Sequence, residues 1–88
     1  MKVIIDFHLI KSMEDFYNIL KKEIDPPSYF GNNLDALYDS ISGDVALPLT
    51  ITFTSVNGFQ IRAFSRLIQC MKDLDEDLKQ FTFYLETS

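Results

Sequence analysis

Three short β-type runs, separated by segments whose apolar residues recur at helical spacing, constrain this chain more than any other feature. Lys2 to Leu9 reads as a strand, with Val3, Ile4 and Ile5 continuous as in a strand buried on both faces. Leu49 to Thr54 (LTITFT) alternates apolar residues with threonine, and Phe81 to Leu85 (FTFYL) supplies a third strand. Ser12 starts a helix, with Asp15 three residues on as a variant of the capping box. Met13, Phe16, Tyr17, Leu20 and Ile24 make its apolar stripe, and Pro26 and Pro27 stop it. Residues 26–33 form a loop in which Gly31 offers a flexible or left-handed position. Asn33 is a suitable N-cap for a short helix over 34–42, with Leu34, Leu37, Tyr38 and Ile41 on one side and Gly43 as its terminating glycine. A connector spans 44–48, and a turn over 55–60 is centred on Asn57-Gly58. A long helix from Ile61 to about Leu78 turns Phe64, Leu67, Ile68, Met71, Leu74 and Leu78 inward. The order strand, two helices, strand, helix, strand predicts an α/β fold: a small parallel sheet with right-handed crossovers and packed helices.

With 88 residues, the chain is expected to form one domain over 1–88. A hydrophobic fraction of 47% is enough for one core and argues against disorder, but leaves little room for an enclosed active-site cavity. The net charge of −5 disfavours direct binding to nucleic-acid phosphates or anionic lipid and favours a basic partner. A single cysteine, Cys70, forms no internal disulfide and suggests a cytoplasmic protein held together by its core. Residues 3–10 are too short for a membrane span and are broken by Asp6 and His8. The lone His8 and lone Cys70 do not make a metal site, and nothing in the sequence implies a cofactor.

The charge is unevenly placed. From Glu23 to Ile61 there is no Lys or Arg, while Glu23, Asp25, Asp35, Asp39 and Asp44 all fall there. A second acidic cluster holds Asp73, Asp75, Glu76 and Asp77. Such runs are commonly solvated faces, but an ordinary face mixes both signs. In the second helix, Asp35, Asp39 and Ser42 lie at i, i+4 and i+7, opposite the apolar stripe. The two aspartates repel at a cost of about 0.2–0.5 kcal/mol. Asp39 lies toward the last turn, where the helix dipole disfavours an anion by about 0.3–1 kcal/mol. It is either a tolerated exposed residue or one kept for function. Tyr29, Phe30, Asn32 and Asn33 in the preceding loop are either tucked into the core or presented to a partner. Paired carboxylates also serve in acid–base catalysis, but no desolvating pocket or nucleophile–base pair accompanies these, so an enzyme is not expected.

The run Tyr29, Phe30, Gly31, Asn32, Asn33, Leu34, Asp35, Ala36, Leu37, Tyr38, Asp39 resembles the signature of the barstar family of ribonuclease inhibitors. Lys21-Lys22-Glu23, Gly43 and Pro48-Leu49 also fit, as do the length and the order of elements. The resemblance implies a three-stranded parallel sheet with packed helices and a non-enzymatic, cytoplasmic immunity protein. Its partner would be a basic barnase-type ribonuclease, bound by a monomer as a 1:1 heterodimer. It further implies that Asp39 enters the enzyme's phosphate site, Asp35 meets the base-recognition loop, and Tyr29 packs on the catalytic histidine. Asn33 would add hydrogen bonds and Gly43 would permit close backbone approach. Phe30, Gly31, Ser42 and Asp44 belong to the same implied surface. The acidic contact from the last helix maps to Asp73, with Glu76 next. The family's well-known inhibitor carries Trp at the positions of Tyr38 and Asp44 and an acid at that of Ala46, so the rim of the surface differs. Two other readings remain: an acidic module for some other basic partner, and an acyl-carrier-like protein suggested by Asp39-Ser40-Ile41.

Overall fold

In the computed structural model, which describes residues 1–24 and 31–88, the three predicted strands lie side by side in chain order. They are β1 (Lys2–Asp6), β2 (Leu49–Val56) and β3 (Phe81–Thr87), all parallel, with β2 in the centre. Val3 pairs with Ile51 and Ile51 with Phe83, while Ile5 pairs with Phe53. The residues of this register that point one way, including Val3, Ile5, Leu49, Ile51, Phe53, Phe81 and Phe83, are buried. Phe53 is the hub: its ring lies 4.7 Å from that of Phe7, 5.6 Å from Phe16 and 4.9 Å from Phe83.

The opposite face is open. Ile4 is 67% exposed and Tyr84 57% exposed, flanking Thr52 in one cross-strand row. The continuous run Val3-Ile4-Ile5 therefore does not mark a strand covered on both sides, as expected from its composition. Adjacent side chains of a strand point to opposite faces, and only one face here carries buried residues. The threonine alternation in β2 was the truer signal.

β1 is also shorter than predicted. At Phe7–Leu9 the chain winds into a 3-10 turn, because the Asp6 carboxylate accepts from the His8 N–H at 2.9 Å and draws the backbone out of the ladder. The helix α1 (Met13–Ile24) starts as expected: the Ser12 hydroxyl accepts from Asp15 N–H at 3.3 Å, and the Asp15 carboxylate reaches back to the Lys11 N–H at 2.9 Å. Phe16, Tyr17, Leu20 and Ile24 are buried. Helix α2 (Leu34–Gly43) follows Asn33, whose side chain accepts from Ala36 N–H at 2.8 Å. Gly43 is the last helical residue rather than a left-handed terminator, and no glycine, Gly31 included, has positive φ. The helix instead closes on Ser40, whose carbonyl accepts from both Asp44 and Val45. The Leu47–Pro48 peptide leading into β2 is cis.

The largest departure lies between β2 and β3. β2 continues through an irregularity between Phe53 and Val56, with Ser55 at φ 58°. Asn57-Gly58 is not a turn centre. Asn57 caps a separate helix, α3 (Gly58–Ala63), in a full capping box with Gln60. The predicted long helix is broken at Phe64 (φ −108°, ψ 26°), and α4 (Ser65–Asp77) runs on from there. The break lets the Phe64 ring turn into the core, edge-on to Phe7 at 5.6 Å. The Asn-x-x-Gln spacing of a capping box was present in the sequence and would have located α3.

Ser55 is the one non-glycine residue with positive φ among those described. A side chain in that conformation costs about 1–2 kcal/mol, partly offset by the entropy glycine loses on folding. Ser55→Gly is therefore expected to stabilise the protein by about 0.5–1 kcal/mol, read as a raised urea midpoint at unchanged slope; a lowered midpoint would show that the Ser55 side chain has a compensating partner.

Candidate functional site

The buried and exposed sides of α2 divide as its spacing predicts. Leu37, Ser40 and Ile41 are buried; Asp35, Asp39, Ser42 and Gly43 are exposed. Ser40, only 4% exposed, is not placed to receive a prosthetic group, and the sheet is incompatible with an all-helical carrier. Among the described residues, neither the Asp35 nor the Asp39 carboxylate has an ion-pair or hydrogen-bond partner. The Ser42 hydroxyl donates back to the carbonyl of Tyr38 at 2.8 Å, with Asp39 O at 3.2 Å, so it braces the helix and leaves only its lone pairs to solvent. Asn33 commits its side-chain oxygen to the cap, which leaves its amide N–H groups for other partners. An added Cβ at Gly43 would meet nothing within 4 Å, so nothing within the described residues requires a glycine there. Asp44 is exposed at the C-cap. Tyr29 and Phe30 lie outside the described residues. A Cβ at Gly31, in contrast, would come within 3.1 Å of the Asn33 amide nitrogen and press on the cap of α2.

The second acidic cluster, on α4, separates into four roles. Asp75 accepts from the Phe83 N–H at 3.1 Å. That N–H belongs to the edge strand β3, so the carboxylate covers a donor that would otherwise lack a partner strand. Asp77 accepts from the Tyr38 hydroxyl and ties α4 to α2. Asp73 accepts from Gln69 Nε2 at 2.9 Å and lines a groove between α2 and α4 of about 350 Å³, together with Asp35. Glu76 is exposed. Asp35 and Asp73, expected to act on one surface, are thus brought to the same groove, whereas Asp75 is engaged by the fold. Sequence reasoning could not sort these four, because each partner lies on a different element.

Cys70 lines the same groove and is half-buried. Burial, reinforced by Asp73 and Asp35, pushes its thiol up to about 11, so it stays protonated and unreactive at neutral pH. Among the described residues there is no group of three His, Cys, Asp or Glu side chains placed to hold a metal, and no helix long and apolar enough to cross a membrane.

Known proteins resemble this chain along nearly its full length. The family model described as Barstar (barnase inhibitor) matches residues 1–87. A Bacillus subtilis (strain 168) protein named "Putative ribonuclease inhibitor YrdF" is 35% identical over 89 residues, spanning 97% of this chain and 98% of its own. A family match over residues 1–87, with a relative 35% identical along nearly the full length, over a three-stranded parallel sheet, means that the chain belongs to the barstar family.

Proposed function

We propose that this protein inhibits a barnase-type ribonuclease by seating the loop before α2 and the exposed face of α2 in the enzyme's basic active site. The observation that carries the reading is the pair of exposed carboxylates, Asp35 and Asp39, one helical turn apart and without a partner among the described residues. A protein gains nothing in stability from such a pair; a basic cleft gains a ready counter-charge. Membership of an inhibitor family supplies the class of partner.

Asp39 takes the place of a substrate phosphate. A carboxylate presents two acceptor oxygens in one plane, which suits the two parallel N–H donors of an arginine. Asp35 engages the base-recognition loop, and Tyr29 packs on the catalytic histidine, with Phe30 on the same contact surface. The Asn33 amide donates hydrogen bonds. Gly43 allows close approach of backbone to backbone, Gly31 and Ser42 belong to the same contact surface, and Asp44 and Asp73 form the acidic rim. Inhibition is by occupancy in a 1:1 complex, with no covalent step and no cofactor. The acidic face speeds encounter, because opposite charges steer the approach before any contact forms.

Titrating the protein into a barnase-type ribonuclease, with RNA cleavage as readout, is expected to abolish activity at one equivalent. The association rate should fall about tenfold or more between low salt and ~0.5 M salt, as steered association does. Retained cleavage at excess inhibitor, across several such enzymes, would leave the protein an acidic module for some other basic partner.

A further inference from the structure

Tyr38 sits half-buried on the flank of α2, between the buried stripe and the acidic face. Its hydroxyl donates to Asp77 Oδ2, on the last residue of α4. Neither end of this bond is explained by its own helix. Asp77 is a carboxylate at a helix C-terminus, where the unpaired carbonyls repel it, and no basic residue stands in that turn. The Tyr38 ring packs against the core without needing a hydroxyl, as phenylalanine would. Upstream of the bond, Asp35 on α2 and Asp73 on α4 line one groove with Leu34, Cys70 and the Tyr38 side chain. Arg66 lines it too, with no ion pair to either carboxylate. Gln69 holds the Asp73 carboxylate in place.

We propose that the Tyr38–Asp77 hydrogen bond is a positioning latch: it fixes α2 against the end of α4, so that Asp35 and Asp73, from two helices, present their carboxylates at a set spacing to a pair of cationic side chains on the partner. The nature of the partner rests on the ribonuclease-inhibitor reading. Tyr38 acts here through helix geometry, its hydroxyl committed to Asp77 while its side chain lines the groove, so it selects among basic proteins by the spacing of their cations. The groups that act on its hydroxyl are Asp77, Asp73 and Cys70, all from α4. The bond to Asp77, with burial and the nearby charges, pushes the phenol up to about 12, so it remains a protonated donor throughout the neutral range.

The test is a double-mutant cycle of Tyr38→Phe and Asp77→Ala with two readouts. One is dissociation from a barnase-type ribonuclease; the other is the alkaline titration of tyrosine absorbance in the free protein. Alanine is used because an asparagine would keep an acceptor for the hydroxyl. Each single variant is expected to dissociate about tenfold faster, and the double variant no faster than the worse single, because all three lack the same bond. The charge lost in Asp77→Ala is common to both backgrounds and cancels in the cycle. In the free protein, Asp77→Ala should move one tyrosine from about 12 toward its ordinary 10.0, a transition that Tyr38→Phe should remove altogether. Additive effects in the cycle, or unchanged dissociation of Tyr38→Phe, overturn the latch. A wild-type protein that binds no such enzyme overturns the partner reading instead. The titration needs no partner, and an unshifted tyrosine in Asp77→Ala would overturn the latch on its own.

Discussion

Asp39→Ala is expected to weaken binding to a barnase-type ribonuclease by about 2–5 kcal/mol, thirtyfold to several thousandfold, while leaving the free protein at least as stable as before. The two halves of this result have separate causes. In the complex, removing one member of a desolvated, hydrogen-bonded charge pair leaves the enzyme's cations buried without a counter-charge. In the free protein, Asp39 is exposed and has no partner among the described residues. It lies one turn after Asp35, whose like charge repels it, and toward the C-terminal end of α2, where the dipole disfavours an anion. Alanine is also the better helix former by a few tenths of a kcal/mol. Dissociation rate against an active ribonuclease and urea unfolding of the free chain measure the two halves. A variant that lost binding and stability together would mean that Asp39 shapes the helix; one that lost neither would remove the phosphate-mimic role.

Gln60→Ala should produce the largest loss of stability of any polar substitution considered, about 3 kcal/mol, or roughly 12–24 °C in Tm for a domain of this size. Gln60 is 8% exposed, and its side chain serves two structures at once. Its amide donates to the carbonyls of Phe7 at 2.8 Å and Ile10 at 3.0 Å, at the two ends of the turn that follows β1. Its oxygen accepts from Asn57 N–H at 3.2 Å, completing the α3 cap. Alanine would strand the Ile10 carbonyl in the interior at a cost of about 1–3 kcal/mol, leave the Phe7 carbonyl with the Ile10 N–H alone, and open half of the capping box. Gln60→Glu sharpens the test. It keeps an acceptor for Asn57 but sets a carboxylate against two carbonyl oxygens, so it should be no more stable than alanine at neutral pH and should recover on acidification, when the protonated acid can donate. Thermal melts across pH decide it; a flat profile would mean that the two carbonyls find water.

Both results bear on how far this molecule was legible beforehand. The acidic face of α2 was readable because it depends on one helix alone: Leu34, Leu37, Tyr38 and Ile41 set the inward side, and the i, i+4, i+7 spacing puts Asp35, Asp39 and Ser42 opposite. The strands were readable as segments, and their parallel order follows from the helices between them. Gln60 was hidden inside a predicted turn, although the Asn57-x-x-Gln60 spacing announced a cap. Its two carbonyl partners, 50 and 53 residues away, leave no mark on the local pattern.

The amino-acid sequence by itself thus determined the three strands, helices α1 and α2, the apolar side of the last helix, and the clustering of unbalanced charge on α2. These follow from local geometry, where neighbours three or four apart share a face and neighbours two apart share a side of a strand. Only the tertiary structure decided that Ile4 looks outward, because that depends on which face of the sheet carries the helices. It alone separated the four acids of α4: Asp75 to the free N–H of Phe83, Asp77 to the hydroxyl of Tyr38, Asp73 to the groove with Asp35, and Glu76 to solvent. Four carboxylates within five residues look alike in one dimension; they differ by what stands opposite each of them, and that is set by contacts between elements far apart in the chain.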